Sequence, residues 1–171
     1  EQLHLNDLVL SLRMDLAPAS LDTLLDLLVD KAHMQQSCFC APGKQNILDI
    51  GANEGFYSLL LWQQNPEVRI LAVEPASAAF SLLKENIELN RAARELNTGI
   101  QPVQKAVGSF SGTTELETYP GVSTISSGRL SLLEQDWIDP DRIEKEQVRS
   151  VTLDRLIRQQ NFQSLDLLKI D

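Results

Sequence analysis

The stretch Asn46-Ile-Leu-Asp-Ile-Gly-Ala-Asn-Glu-Gly55 decides the reading of this chain. Ile47, Leu48 and Ile50 read as a buried strand that runs into a turn with glycines at 51 and 55. A helical pattern follows at once in Phe56, Tyr57, Leu59, Leu60 and Leu61. A strand, a glycine turn and a helix in that order expose backbone N–H groups at a helix N-terminus and let a ligand approach the main chain closely. The next apolar run, Arg69-Ile-Leu-Ala-Val-Glu74, ends in an acid, about twenty residues after the glycines, where a ribose diol is usually held by paired hydrogen bonds.

The turn also discriminates between nucleotides. A dinucleotide fingerprint, G-x-G-x-x-G, keeps its central position as glycine so that the backbone can approach a pyrophosphate. Here the pattern is Asp49-x-Gly51-x-Asn53-x-Gly55. Asn53 occupies the space a pyrophosphate needs, and the charge on Asp49 repels a diphosphate. An acid beside polar side chains suits a ligand with a cationic amino-acid end. S-adenosylmethionine has an adenosine, a sulfonium, an ammonium and no phosphate, so a class I methyltransferase turn is favoured over an NAD turn. The bland alternative is an α/β domain whose glycine turn only packs a helix on a strand.

The 171 residues, 43% hydrophobic and 23% charged, suffice for one domain with its own core. A net charge of −9 without Lys/Arg clusters disfavours nucleic acid and anionic membrane as partners. No apolar run reaches the roughly eighteen residues that a membrane span needs, and no signal peptide is visible from Glu1 onward. Cys38 and Cys40 are one residue apart, too close for an easy mutual disulfide and too few for a zinc site. They read as reduced thiols, which suits a cytoplasmic protein. His4 and His33 read as surface residues.

Elsewhere, residues 3–16 alternate apolar and polar, which predicts an extended segment, with a hairpin about Asn6-Asp7; a helix is the alternative. Ser20 caps a helical stripe through Leu21, Leu24, Leu25 and Leu28 to about Met34. The loop from Ala41 to Lys44 leads into strand 46–50. Helix 55–64 stops at Asn65-Pro66, strand 69–74 follows, and a helix over 76–90 turns Ala79, Phe80, Leu83 and Ile87 inward. After a turn at Asn97-Thr98-Gly99, residues 101–107 read as a third strand and 113–118 as another. The order β–α–β–α–β predicts right-handed crossovers and a parallel sheet. Residues 119–136 read as a Gly/Ser/Thr-rich loop, either a ligand-binding segment or a plain connection, with Trp137 after it. Asp139-Pro140 and the charged run to Glu146 read as a solvated turn and edge, 147–152 as a strand, 153–160 as a helix capped by Thr152, and 165–171 as a final strand.

Three features now line up: Asp49-Ile-Gly-Ala-Asn-Glu-Gly-Phe-Tyr57; Val73-Glu74-Pro75 with Asn86 and Asn90; and Ser150-Val-Thr-Leu-Asp154 followed by Asp166-Leu-Leu-Lys-Ile-Asp171. Together they resemble the FkbM family of S-adenosylmethionine-dependent methyltransferases over roughly residues 46–171, with Lys105-Ala-Val-Gly108 similar to the segment after the third strand. The resemblance implies a Rossmann-like class I fold: α/β, a mostly parallel sheet, helices on both faces. It implies a cofactor-binding domain over 46–171; residues 1–45 lie outside the resemblance and are expected to form an N-terminal extension, an extended segment plus a helix, that covers the site. Asp49, Gly51, Asn53 and Gly55 would line the methionine end of the cofactor, Glu74 would hold the ribose, and Ala106 would lie near the adenine. Asp171 would sit beside the methyl group, as a contact to cofactor or substrate, a general base, or a ligand to a divalent cation.

The implied reaction is methyl transfer to a hydroxyl of a small molecule, sugar or natural product. The family pattern continues after this acid with Val-Glu-Gly and further strands. The chain as given stops at Asp171, so the sheet is expected to be incomplete at its C-terminal side. The competing readings are an NAD-dependent enzyme and a non-catalytic module that assembles, for instance as a homodimer, through a free sheet edge.

Overall fold

The central sheet is built from short apolar runs that lie side by side in one direction. In this computed structural model, residues 2–5, 7–12, 24, 43, 45–94, 99–119, 122–127, 139–160, 162 and 164–170 are described. Strands β3 (Asn46–Ile50), β4 (Arg69–Val73), β5 (Ile100–Val103) and β10 (Leu167–Ile170) form a parallel sheet in the order β10-β3-β4-β5. The chain moves outward from β3 to β5, then returns to lay β10 on the other side of β3. Strand order therefore reverses between β10 and β3, and ligands of open α/β sheets bind in the crevice beyond the carboxyl ends at such a reversal.

The strands are mostly apolar because both faces of the sheet are largely covered. Ile47, Ile70, Ala72 and Ile100 face helices α1 (Phe56–Gln64) and α2 (Ser77–Arg94) in one cluster. Leu48, Ile50, Leu71 and Val73 face Val151 and Leu156, the latter on helix α3 (Leu153–Gln159). The predicted α/β class with helices on both faces is thus the observed one. Helix α2 buries the expected Ala79, Leu83 and Ile87 together with Leu82, and Phe80 packs at its margin. Thr152 caps α3 by accepting from the Arg155 N–H.

Helix α1 is different: Phe56 to Trp62 are all buried, so it has no polar face. Its outer side is covered by the predicted N-terminal hairpin, β1 (Gln2–Leu5) and β2 (Leu8–Ser11), which pair antiparallel. Leu8, Leu10 and Leu12 of this segment enter the same cluster as α1. Leu24 is helical and buried, whereas the rest of the predicted helix to Met34, with Ser20, His33, Cys38 and Cys40, lies outside the described residues, as does the Asn97-Thr98 turn. His4 is exposed on β1.

Three expectations are corrected. Residues 101–107 are not one strand. β5 ends at Val103, and Ala106–Val107 form β6, which pairs parallel with β9 (Glu144–Val151) in a second sheet. Pro102 has no N–H to donate, and it is accommodated because β5 is the sheet's outermost strand. The chain then breaks away at Gln104, whose side chain donates to the Pro75 carbonyl and to Ser77 Oγ. The Gly/Ser/Thr-rich stretch is not all loop either. β7 (Gly112–Tyr119) pairs antiparallel with β8 (Val122–Ser127), with a register shift at Thr118/Tyr119. Val122, Thr124 and Ile125 supply the β-branched residues that a strand favours; residues 128–138, with Trp137, lie outside the described residues.

The second sheet has the order β6-β9-β7-β8. The charged residues Glu144 to Glu146 open β9 instead of closing a turn, while a 3-10 turn at Pro140–Arg142 precedes them.

Candidate functional site

The rim at the carboxyl ends of β3 and β4 is held by an interlocked set of hydrogen bonds. The Val73 carbonyl accepts from both the Gly51 and Ala52 N–H groups, at 2.9 and 3.0 Å. Gly51, Asn53 and Gly55 all have positive φ, at 76°, 50° and 87°. A non-glycine residue there is uncommon, and asparagine tolerates it best. Gly55 precedes α1 as its N-cap; a Cβ there would lie 2.5 Å from Leu83 Cδ1 and force that side chain to shift, at a φ that strains any side chain.

Glu74 fastens the turn from the neighbouring strand. Its Oε2 accepts from the Asn53 N–H at 2.9 Å and its Oε1 from the Ala76 N–H at 2.9 Å. The Glu74 N–H donates to the Val103 carbonyl, so three strand ends are tied through one residue. Glu74 is 4% exposed. Burial raises its pKa above the ordinary 4.5, against the lowering effect of the two N–H donors; the charge on Asp49 raises it and the charge on Lys169 lowers it. Each carboxylate oxygen retains a further lone pair for a ligand hydroxyl.

Asp49 lies beneath the turn, fully buried. Ser58 Oγ, on α1, donates to its Oδ2 at 2.7 Å, and Lys169 Nζ stands 3.1 Å from its Oδ1. The Asp49–Lys169 contact lacks hydrogen-bond geometry and is a close ion pair. Lys169 is the in-register neighbour of Asp49 on β10. Its ammonium also donates to the Gly51 carbonyl at 3.2 Å and lies 5.3 Å from the centroid of the Tyr57 ring. The acid of the turn is therefore neutralised within the protein. The acceptor without a partner is on the turn itself: Asn53 Oδ1 is buried and makes no hydrogen bond among the described residues.

From the other side, α2 contributes two fully buried asparagines. Asn86 Nδ2 donates to the Glu54 carbonyl at 2.9 Å, and its Oδ1 accepts from the Ser11 N–H. Asn90 Oδ1 accepts from the Val9 N–H at 2.9 Å while its Nδ2 donates to the Val9 carbonyl at 2.7 Å. The pair treats β2 as a strand partner and anchors the turn from behind.

Of the residues singled out from sequence, Asp49, Gly51, Asn53, Gly55 and Glu74 are brought together at the rim. Ala106 is on β6, half-buried against Ala76 and Ala79, two and five residues beyond Glu74. Asp171 lies outside the described residues. Sequence reasoning missed Lys169, whose only signal was a lone charge within an apolar strand, and Ser58, which carried none. Among the described residues no cluster of His, Cys, Asp and Glu could hold a metal ion, and no helix is long and apolar enough to cross a membrane.

Comparison with known proteins gives the family. The family described as the Methyltransferase FkbM domain matches residues 49–171. The methyltransferase sdnD of Sordaria araneosa is 35% identical over 81 residues, covering 47% of this chain and 30% of that protein. The 31-O-demethyl-FK506 methyltransferase FkbM of Streptomyces tacrolimicus is 25% identical over 167 residues, covering 85% of this chain and 62% of that protein. A longer protein, the AMB antimetabolite synthetase AmbE of Pseudomonas aeruginosa, is 28% identical over 171 residues, covering 85% of this chain and 8% of its own length. No solved structure matches. The chain thus spans less than two thirds of the curated relatives it matches. With a rim of this geometry and a domain match that begins at Asp49 and runs to Asp171, the chain belongs to the FkbM methyltransferase domain family.

Proposed function

We propose that the rim binds S-adenosylmethionine and that the chain takes part in methyl transfer to a hydroxyl oxygen of a small molecule, sugar or natural product. The observation that carries this reading is Glu74, buried at the strand tip with both oxygens oriented by backbone N–H donors and each able to accept once more. That pair of acceptor oxygens fits the two donating hydroxyls of a ribose diol. The unpartnered Asn53 Oδ1 fits the ammonium or a hydroxyl of the same ligand. The name of the Streptomyces tacrolimicus relative, a 31-O-demethyl-FK506 methyltransferase, supports oxygen as the acceptor atom.

When bound, the cofactor supplies the activated methyl carbon; the chain supplies orientation and a site of suitable charge. Glu74 would hold the ribose, and Asn53 would meet the methionine end from a backbone that Gly51 and Gly55 allow to bend. Asp49 acts from beneath: its ion pair with Lys169 and its bond from Ser58 hold the turn in shape. Ala106, against Ala76, would border the adenine end. Asp171 follows β10, the strand beside β3, and is the residue assigned to the reacting end, where a carboxylate can orient the acceptor hydroxyl or take its proton.

The reading is tested by titrating the chain with S-adenosylhomocysteine in a calorimeter, with NADH as control. Binding of the first alone is expected. Glu74→Ala should weaken it by about 1–3 kcal/mol, the cost of ribose hydroxyls left without partners. An unchanged affinity in that variant sinks the assignment of Glu74, and preference for NADH sinks the methyl-transfer reading.

A further inference from the structure

A second concave site lies away from the glycine turn, between the second sheet and α3. It is a cleft of about 490 Å³ lined in part by Lys105, Ser111, Thr113, Arg149, Arg155 and Gln159. Three cations line it and no carboxylate does. In a chain of net charge −9 such a grouping is not what the average composition produces.

The same two strands show how this molecule treats a cation it intends to neutralise. Lys145, on β9, lies opposite Glu117 and bonds Glu115 at 2.8 Å and Glu117 at 3.5 Å. Arg149 is four residues further along β9, on the same face of the ladder. Its cross-strand partner is Thr113, a hydroxyl. The acid diagonal to it, Glu115, is engaged by Lys145. Neither Arg149 nor Arg155 makes an ion pair among the described residues, and both are exposed. Lys105 Nζ meets a neutral oxygen, Gln159 Oε1, at 3.4 Å. Leaving like charges side by side is unfavourable unless a ligand brings the opposite charge.

We propose that this cleft binds the phosphate or diphosphate group of a small molecule. Three positive side chains match a dianion or trianion better than a single carboxylate. The guanidinium groups and the hydroxyls of Ser111 and Thr113 are donors that phosphate oxygens accept. The volume exceeds what a bare ion needs and lies in the range of small-molecule sites. The acidic character of the rest of the chain disfavours an extended polyanion such as nucleic acid, whose flanks would meet negative surface. The site makes no use of the glycine turn, so it stands whether or not the rim binds S-adenosylmethionine.

Amide chemical shifts of the whole chain, followed while inorganic pyrophosphate and, separately, ribose 5-phosphate are added at low salt, test the proposal. Saturable shifts at residues 111–113 and 149–155 are expected with both probes. The double variant R149Q/R155Q should raise the dissociation constant at least tenfold with an unchanged melting temperature; should it fold poorly, the two single variants carry the test. K84Q removes the same charge from an exposed position on α2, outside the cleft, and should leave binding within twofold. No shift in the cleft, or an equal loss in K84Q, overturns the site. Binding of pyrophosphate without ribose 5-phosphate overturns its assignment to a small-molecule ester.

Discussion

Asp49 and Arg149 are both charged residues on strands, and the molecule treats them in opposite ways. Asp49 is fully buried and its charge is answered by Lys169 on the adjacent strand, its second oxygen by Ser58. Arg149 is exposed beside two other cations and makes no ion pair among the described residues. At the rim, charge is consumed in holding backbone shape, and what remains for a ligand is one oriented carboxylate, Glu74, and one amide oxygen, Asn53. In the cleft the charge itself is what remains. The comparison separates electrostatics that build a scaffold from electrostatics that await a partner.

The largest way to break the rim is to strand its buried acid. Lys169→Met leaves the buried Asp49 carboxyl without its cationic partner, and should cost about 3–5 kcal/mol in urea unfolding, as removal of one partner of a buried pair does. The double variant Lys169→Met/Asp49→Asn should recover much of that loss; no recovery would show that Lys169 does not act through Asp49. Gly55→Ala comes next, at about 2–3 kcal/mol, because the new Cβ collides with Leu83 and the positive φ strains any side chain. A melting curve that matches the wild type would contradict the packing of α1 on α2. Asn90→Ala removes the grip on β2 and should cost about 1–2 kcal/mol, with the amide of Val9 exchanging faster than those of β3.

Glu74 gives a smaller effect with a definite sign. Its folded pKa is raised, so the folded chain takes up this proton more readily than the unfolded chain. The resulting stabilisation is full below the ordinary value of 4.5 and is lost as pH rises through the folded pKa. The melting temperature of the wild type minus that of Glu74→Gln should therefore fall with rising pH above 4.5. A flat difference would mean that burial does not govern this carboxyl. Smallest of all, Arg149→Gln should change stability by no more than about 0.5 kcal/mol, because no partner is lost. A larger loss in thermal unfolding would show that Arg149 already serves the fold.

Much of the rim was legible in the sequence because its signals are local. Glycines 51 and 55 sit directly between an apolar strand and an apolar helix, and Glu74 ends the next apolar run. The α2 stripe and the Thr152 cap are likewise read over a few residues. Other features depend on distant partners. Lys169 reaches Gly51 across 118 positions, and only the side-by-side register of β10 and β3 brings it to Asp49. The split of 101–107 follows from pairing of Ala106 with Ser150, which no local pattern encodes. β8 was hidden because glycine and serine on either side of its β-branched residues spoke for a loop. The basic cleft draws on residues from 105 to 159, and composition averaged over an acidic chain concealed it.

The unbroken burial of α1 carries a consequence for where this protein can be divided. The recognisable family border falls at residue 49, but the helix just inside that border is sheltered by Leu8, Leu10 and Leu12 from the other side of it. A gene fragment transplanted from that border would carry a bare, oily helix into its new host, prone to clump or be degraded. Recombination that preserves the evolutionary unit would thus cut through the folding unit, and the viable crossover lies upstream of the hairpin.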